Sequence, residues 1–262
     1  MGSISQHMAK GMNSALKNLE ESGYTVIPGA FDHRAIDQMR LSVLRNLQIM
    51  SNTRPTPTSF HIAGFHRFPS LEAIHTSLST NSKILRVLDG VYEKRRMICL
   101  GLTDITVNRS QPWHTDLLRG AYSVHLTQEI CWDTEALPCL KALLYLQDGA
   151  SLQLVPGSHR HPIDLSADER VIPTGNASVV DVSVHSGDVI LMDIRTIHRG
   201  ASEAEMAEKG LGSDAKILIS TVFGDRYSKL TQAMQVGNSK RLIDWDIRTR
   251  GTRFGTSSKL AQ

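Results

Sequence analysis

Two short stretches of this chain of 262 residues carry residue types able to do chemistry. The stretch "QPWHTDLLRG" places His114 and Asp116 two positions apart, and "SGDVILMDIRTIHRG" closes an apolar run with His198. A histidine and a carboxylate this close could form one edge of a metal site in an enzyme. With 11 histidines in the chain, a His-x-Asp or His-x-Glu pair arises about once by accident, so the pair alone reads first as a polar turn. In a locally extended segment, residues i and i+2 face the same side, so His114 and Asp116 can present their ligand atoms together.

The elements that would position these residues change character along the chain. In the first third, "SALKNLEESG" has the apolar spacing of a short amphipathic helix stopped by Gly23, and "YTVIPG" reads as a strand with a turn. Asp32 is a good N-cap for a helix from His33 to about Gln48, and "NSKILRVLDGVYEK" reads as a further helix. From Met97 onward come short β-rich runs: "MICLGLTDITV", "LKALLYLQ", "SLQLV", "SVVDVSV", "GDVILMDI" and "KILISTVFG". No strand–helix–strand alternation appears among them, so an antiparallel sandwich or barrel is expected, mainly β, with helices on one outer face. The expected organisation is one domain over 1–262, with a helical part at about 1–96, a β-core at about 97–226 and a C-terminal tail at 227–262.

Composition narrows the classes. Apolar residues make up 40% and charged residues 21%, a globular balance. The longest apolar runs, "LKALLYL" and "DVILMDI", fall far short of the roughly 20 residues of a membrane span. The N-terminal stretch "MGSISQHMAKGMNS" lacks a basic region followed by an apolar core, so a cytoplasmic location is expected. Cys99, Cys131 and Cys139 have no C-x-x-C spacing and read as core thiols. The net charge of +3 has its densest cluster in "EKRR" at 93–96, which reads as a solvated helix end. Nucleic-acid binding would need a stronger basic stripe. The expected partner is therefore a small molecule, with neither nucleic acid nor membrane involved.

Taken together, "ESGYTVIPGAFD", "WHTD", "LQLVPGSHRHP" and "GDVILMDIRTIHRG" closely resemble the phytanoyl-CoA dioxygenase family of Fe(II)/2-oxoglutarate oxygenases. The resemblance implies a double-stranded β-helix, the jelly-roll or cupin-like barrel. It also implies that His114, Asp116 and His198 hold Fe(II), with 2-oxoglutarate and O2 as co-substrates. Succinate and CO2 would form as hydrogen is abstracted from an unactivated C–H bond, most simply to hydroxylate a metabolite. Halogenating relatives replace the metal carboxylate with a small residue, so Asp116 disfavours that outcome. Desaturation, epimerisation and oxidative ring closure draw on the same chemistry. His159 in "PGSH" is expected to be structural, and His61, His66, His75, His125 and His161 receive no role.

The chain departs from the family at the co-substrate anchor. Where an arginine normally opens the strand after the last histidine, "AKILISTVFGD" has Lys216, preceded by the polar insertion "EAEMAEKGLGSD". A lysine supplies charge without a bidentate fork. Lys141, opening "KALLYLQ", is a second candidate, because a lysine on a buried strand demands a counter-ion. A side chain snorkelling from a strand end would explain either. Trp113 and Arg119 flank the ligand pair and could reach the substrate mouth, with core packing and loop exposure as their respective alternatives. Arg195 and Arg199 read as structural or substrate-facing. The missing arginine keeps a second class open, a cupin-like isomerase or metal-binding protein without oxygenase activity. The mildly basic balance hints at an anionic substrate.

Overall fold

Local signals set the first elements. In the computed structural model, which describes residues 2–51, 58–92, 96–165, 175, 177–201, 205 and 215–254, helix α1 (Gly2–Ser22) ends at Gly23. Gly23 has φ of 81° and donates its N–H to the Leu19 carbonyl, the left-handed glycine that commonly closes a helix. The helix starts earlier than its apolar spacing suggested. Strand β1 (Tyr24–Ile27) follows, then α2 (His33–Arg45), whose cap Asp32 accepts a hydrogen bond from the Ala35 N–H at 2.8 Å. The helix stops before Gln48 because a 3-10 turn takes over at Leu47–Ile49. Strand β2 (Phe60–Ala63) and helix α3 (Pro69–Ser79) had not been anticipated, whereas α4 (Ser82–Val91) matches expectation.

The β-rich runs all form strands: β3 (Met97–Val107), β5 (Leu140–Tyr145), β6 (Gly149–Leu154), β7 (Val180–Val184), β8 (Val189–Asp193) and β10 (Ile217–Asp225). Short strands β4 (Gln111–His114) and β9 (His198–Gly200) and the helical turn α5 (Gln128–Cys131) complete this region. They make a six-stranded sheet, β1-β8-β5-β10-β3-β2, and a four-stranded sheet, β4-β9-β6-β7. Their pairings are antiparallel, giving the double-stranded β-helix.

Strand alternation divides the apolar residues between two layers. Leu143, Tyr145, Ile190 and Met192 face inward and meet Leu152, Leu154 and Val182 of the smaller sheet. Leu144, Leu191, Ile105 and Ile219 face outward and pack against Ile36, Val43, Leu71, Leu78, Ile84 and Leu88 of the helices. Each such side chain, removed from water, contributes about 1.5–3 kcal/mol. Helices α1 to α4 thus cover one outer face of the barrel, as expected of the helical part. Cys131 and Cys139 are buried free thiols and Cys99 is half-buried. Burial pushes the Cys139 thiol up to about 12, which keeps it protonated and inert.

The segment after residue 226, expected to be a tail, instead forms helix α6 (Lys229–Phe254). Residues 255–262 lie outside the described residues, as do 93–95 of the "EKRR" cluster and most of the polar insertion after His198. Leu230, Ala233 and Met234 fall at helical spacing and pack on Leu117, Leu118 and Val222, which seats α6 beside the loop that follows β4. Gly237 allows the close approach: a Cβ there would lie 2.1 Å from the Tyr122 carbonyl oxygen and 2.6 Å from Leu118 Cδ1. Gly237→Ala is accordingly expected to lower stability by about 1–3 kcal/mol, the usual cost of overpacking. Urea denaturation measures it, and an unchanged midpoint would refute the contact.

Candidate metal centre

Strands β4 and β9 are neighbours in the smaller sheet, and their register sets His114 directly opposite His198. The two ring centroids are 4.2 Å apart. Strand β4 ends at His114, so Asp116 does not follow by simple strand alternation. Its backbone N–H donates to the Ile194 carbonyl at 2.8 Å, which holds the turn that brings the carboxylate back beside the rings. One ligand atom from each of His114, Asp116 and His198 lies within 4.8 Å of the others.

Hydrogen bonds decide which atoms face inward. His114 Nδ1 is 2.7 Å from the Pro112 carbonyl oxygen, and His198 Nδ1 is 2.8 Å from that of Thr196. A carbonyl only accepts, so each Nδ1 carries the proton and each Nε2 keeps its lone pair in the neutral ring. Burial lowers both histidine pKa values, which favours that neutral form. Burial by itself would raise the Asp116 pKa, but Lys141, with His198 and His114, outweighs it and holds the carboxyl well below the usual range. Lys141 Nζ donates to Asp116 Oδ1 at 2.7 Å, leaving Oδ2 turned toward His198 Nε2 at 3.4 Å.

His114 Nε2 and Asp116 Oδ2 are buried and make no hydrogen bond among the described residues. Leaving such groups unsatisfied costs about 1–3 kcal/mol each, more for a charged one. Two imidazole lone pairs and one carboxylate oxygen, aimed at a common point, fit a divalent transition-metal ion.

The other sequence candidates separate. Lys141 belongs to the triad's surroundings as the partner of Asp116. Lys216 is buried at the head of β10, its Nζ donating to the Ala201 carbonyl at 2.6 Å. A Cβ on Gly200, two residues beyond His198, would be 3.6 Å from that ammonium, so Lys216 reaches across to β9. Arg119 lines the cavity at the triad and donates to the Thr115 carbonyl at 2.8 Å. Trp113 stacks instead with Arg199, whose guanidinium carbon is 5.7 Å from the ring centroid, and neither lines that cavity. Trp113 and Arg199 sit on the neighbouring strands β4 and β9. Arg195 grips Asp193 at 2.6 and 2.9 Å and reaches the Cys131 carbonyl, a structural arrangement. His159 Nε2 meets the Glu20 carbonyl at 3.2 Å and ties its turn to α1, as expected of a structural residue.

Sequence reasoning missed a second group. Asp104, inward on β3, accepts from Arg241 of α6 at 3.1 Å and pairs with His61 Nε2 at 3.1 Å. Burial raises the Asp104 pKa, yet Arg241 and His61 outweigh it and keep the group ionised. His61, given no role above, therefore lines the cavity. A lone aspartate within "MICLGLTDITV" was the available signal, because a carboxylate on a buried strand needs a partner. The triad cavity, of about 240 Å³, includes Asp104, Lys141 and Ser220. It shares His114, His61, Arg119 and Arg241 with an adjoining chamber of about 660 Å³ that reaches Trp245 and Arg248 on α6.

Comparison with known proteins agrees with this geometry. Residues 89–204, which contain all three triad residues, match the model of the phytanoyl-CoA dioxygenase (PhyH) family, so the resemblance read from the motifs holds. Among solved structures, the chain is similar to SnoN, described as a non-haem α-ketoglutarate-dependent epimerase from nogalamycin biosynthesis. The identity is 16% over 83% of this chain and 84% of that one, with a TM-score of 0.63. It is similar also to SnoK, a carbocyclase from the same biosynthesis, at 19% identity over 81% and 83% of the two chains, TM-score 0.59. HygX from Streptomyces hygroscopicus, solved with nickel and 2-oxoglutarate bound, matches at 20% over 82% and 87%, TM-score 0.58. A search of curated proteins finds no match in sequence. No helix among the described residues is long and apolar enough to cross a membrane.

Proposed function

We propose that this chain is an Fe(II)/2-oxoglutarate-dependent dioxygenase that hydroxylates a small-molecule metabolite. The observation that carries the reading is the pair of buried, unpartnered atoms, His114 Nε2 and Asp116 Oδ2, converging with His198 inside the barrel. When bound, ferrous iron with 2-oxoglutarate and O2 supplies an oxidant able to take hydrogen from an unactivated C–H bond, the keto acid leaving as succinate and CO2. The protein's part is to hold, orient and desolvate. The Pro112 and Thr196 carbonyls fix the two imidazoles by their Nδ1 protons. Lys141 occupies Oδ1 of Asp116, so that the other oxygen faces the site. Lys216 lines neither of the two cavities, but as a buried ammonium beside β9 it is the candidate to receive the far carboxylate of the keto acid.

Anaerobic addition of Fe(II) and 2-oxoglutarate tests the reading. A visible metal-to-ligand charge-transfer band is expected, because it forms only when the keto acid chelates the iron. Iron binding without that band would favour the cupin-like isomerase or binding protein. With a metabolite panel, substrate-dependent succinate should accompany a product heavier by one oxygen atom. Loss of two hydrogens would mark ring closure or desaturation instead, and an isomer of unchanged mass epimerisation.

A further inference from the structure

The larger chamber carries a charge pattern that metal binding does not use. Its lining includes Arg109, Arg119, Arg241 and Arg248, and no carboxylate among the described residues. The nearby acids are already engaged, Asp116 by Lys141 and Asp104 by Arg241 and His61. Arg241 itself is only partly used. Its Nε donates to Asn238 Oδ1 at 3.1 Å and its Nη1 to Asp104 at 3.1 and 3.4 Å. Its Nη2 is buried and makes no hydrogen bond among the described residues. A buried guanidinium donor without an acceptor calls for one, and the planar fork suits carboxylate and phosphate oxygens. Tyr122 and Trp245 add aromatic wall, and about 660 Å³ is a typical small-molecule site. His114 lines both chambers, so a molecule held by the arginines abuts the triad.

We infer that the substrate is a small organic oxyanion, a carboxylic acid or phosphate ester, bound in this chamber through Arg241 Nη2 with Arg109 and Arg119 beside it. The assignment rests on the oxygenase reading for its claim that the bound anion is substrate. It makes α6, which lies outside the segment matched to the family, the element that selects what the triad oxidises.

Isothermal titration of the full chain, anaerobic with Fe(II) and saturating 2-oxoglutarate, tests it with phenylacetate, phenyl phosphate and neutral phenylacetamide. At least one oxyanion should bind about tenfold or more tightly than the amide, the scale of one charge-assisted hydrogen bond. The tighter of the two identifies the anion. Arg241→Lys keeps a cation for Asp104 but lacks Nη2, and should lose about tenfold in oxyanion affinity while melting as a folded protein. Arg109→Gln should weaken the same binding, which provides a second reading should Arg241→Lys fold poorly. Equal affinity for the amide, no saturable oxyanion binding, or full affinity in both variants overturns the inference. So does displacement of 2-oxoglutarate by the probe, seen as loss of the charge-transfer band, since the arginines would then serve the keto acid. Failure of the band to form without any probe strikes the oxygenase reading instead, and the anion titration still reports on the chamber.

Discussion

His198→Ala is expected to lose ferrous iron binding and turnover together. The variant would leave His114 and Asp116 as the remaining protein ligands in a site whose three donors lie within 4.8 Å of one another. Disturbing residues that merely orient metal ligands already costs about 10–100-fold in affinity or activity, so removing a ligand should exceed 100-fold. His114→Ala should behave alike, because the two rings face each other across one register pair. Asp116→Ala differs. It keeps both imidazoles and can retain some metal, but it opens a coordination position and frees Lys141 from its carboxylate, so hydroxylation should cease. Anaerobic iron titration with chelator competition, alongside succinate release, measures all three. Near-normal product from His198→Ala, or unchanged hydroxylation by Asp116→Ala, would exclude the triad.

The second large effect concerns the co-substrate. Truncating one partner of a buried charge pair costs about 2–5 kcal/mol, and every 1.4 kcal/mol is about tenfold in affinity. If Lys216 receives the far carboxylate, Lys216→Ala should raise the Michaelis constant for 2-oxoglutarate by roughly 30-fold or more and that for the organic substrate far less. Lys216→Arg should restore much of the binding if the pocket beside Gly200 takes the wider fork. Lys141→Ala should leave the 2-oxoglutarate constant near wild type and instead weaken iron binding, since Lys141 orients Asp116. Steady-state kinetics with each substrate varied in turn separates the two lysines. A 2-oxoglutarate constant that responds to Lys141→Ala and not to Lys216→Ala would move the anchor to β5. No response from either would count against the keto acid itself.

Much of this molecule was legible before any coordinates. Alternation of apolar residues marked the long strands, and Asp32 and Gly23 marked helix ends, because each of these signals is local in the chain. "WHTD" and "TIHRG" marked the three candidate ligands only through the family resemblance of several stretches taken together. What the sequence left undecided is non-local. Lys141 could be named as a buried cation, but only the pairing of β5 within the barrel shows that its partner is Asp116, 25 positions away. Trp113 sits one residue from a ligand, yet it packs with Arg199 and does not line the cavity. The tail that proved to be α6 has only a weak apolar periodicity over its length, and its consequence was hidden as well: Arg241 meets Asp104 across 137 positions. A residue's type determines what it can bind, and the sequence states the type. Which groups share one desolvated space, and which donor is left there without an acceptor, is set by strand register and helix packing, and the tertiary structure alone decided those.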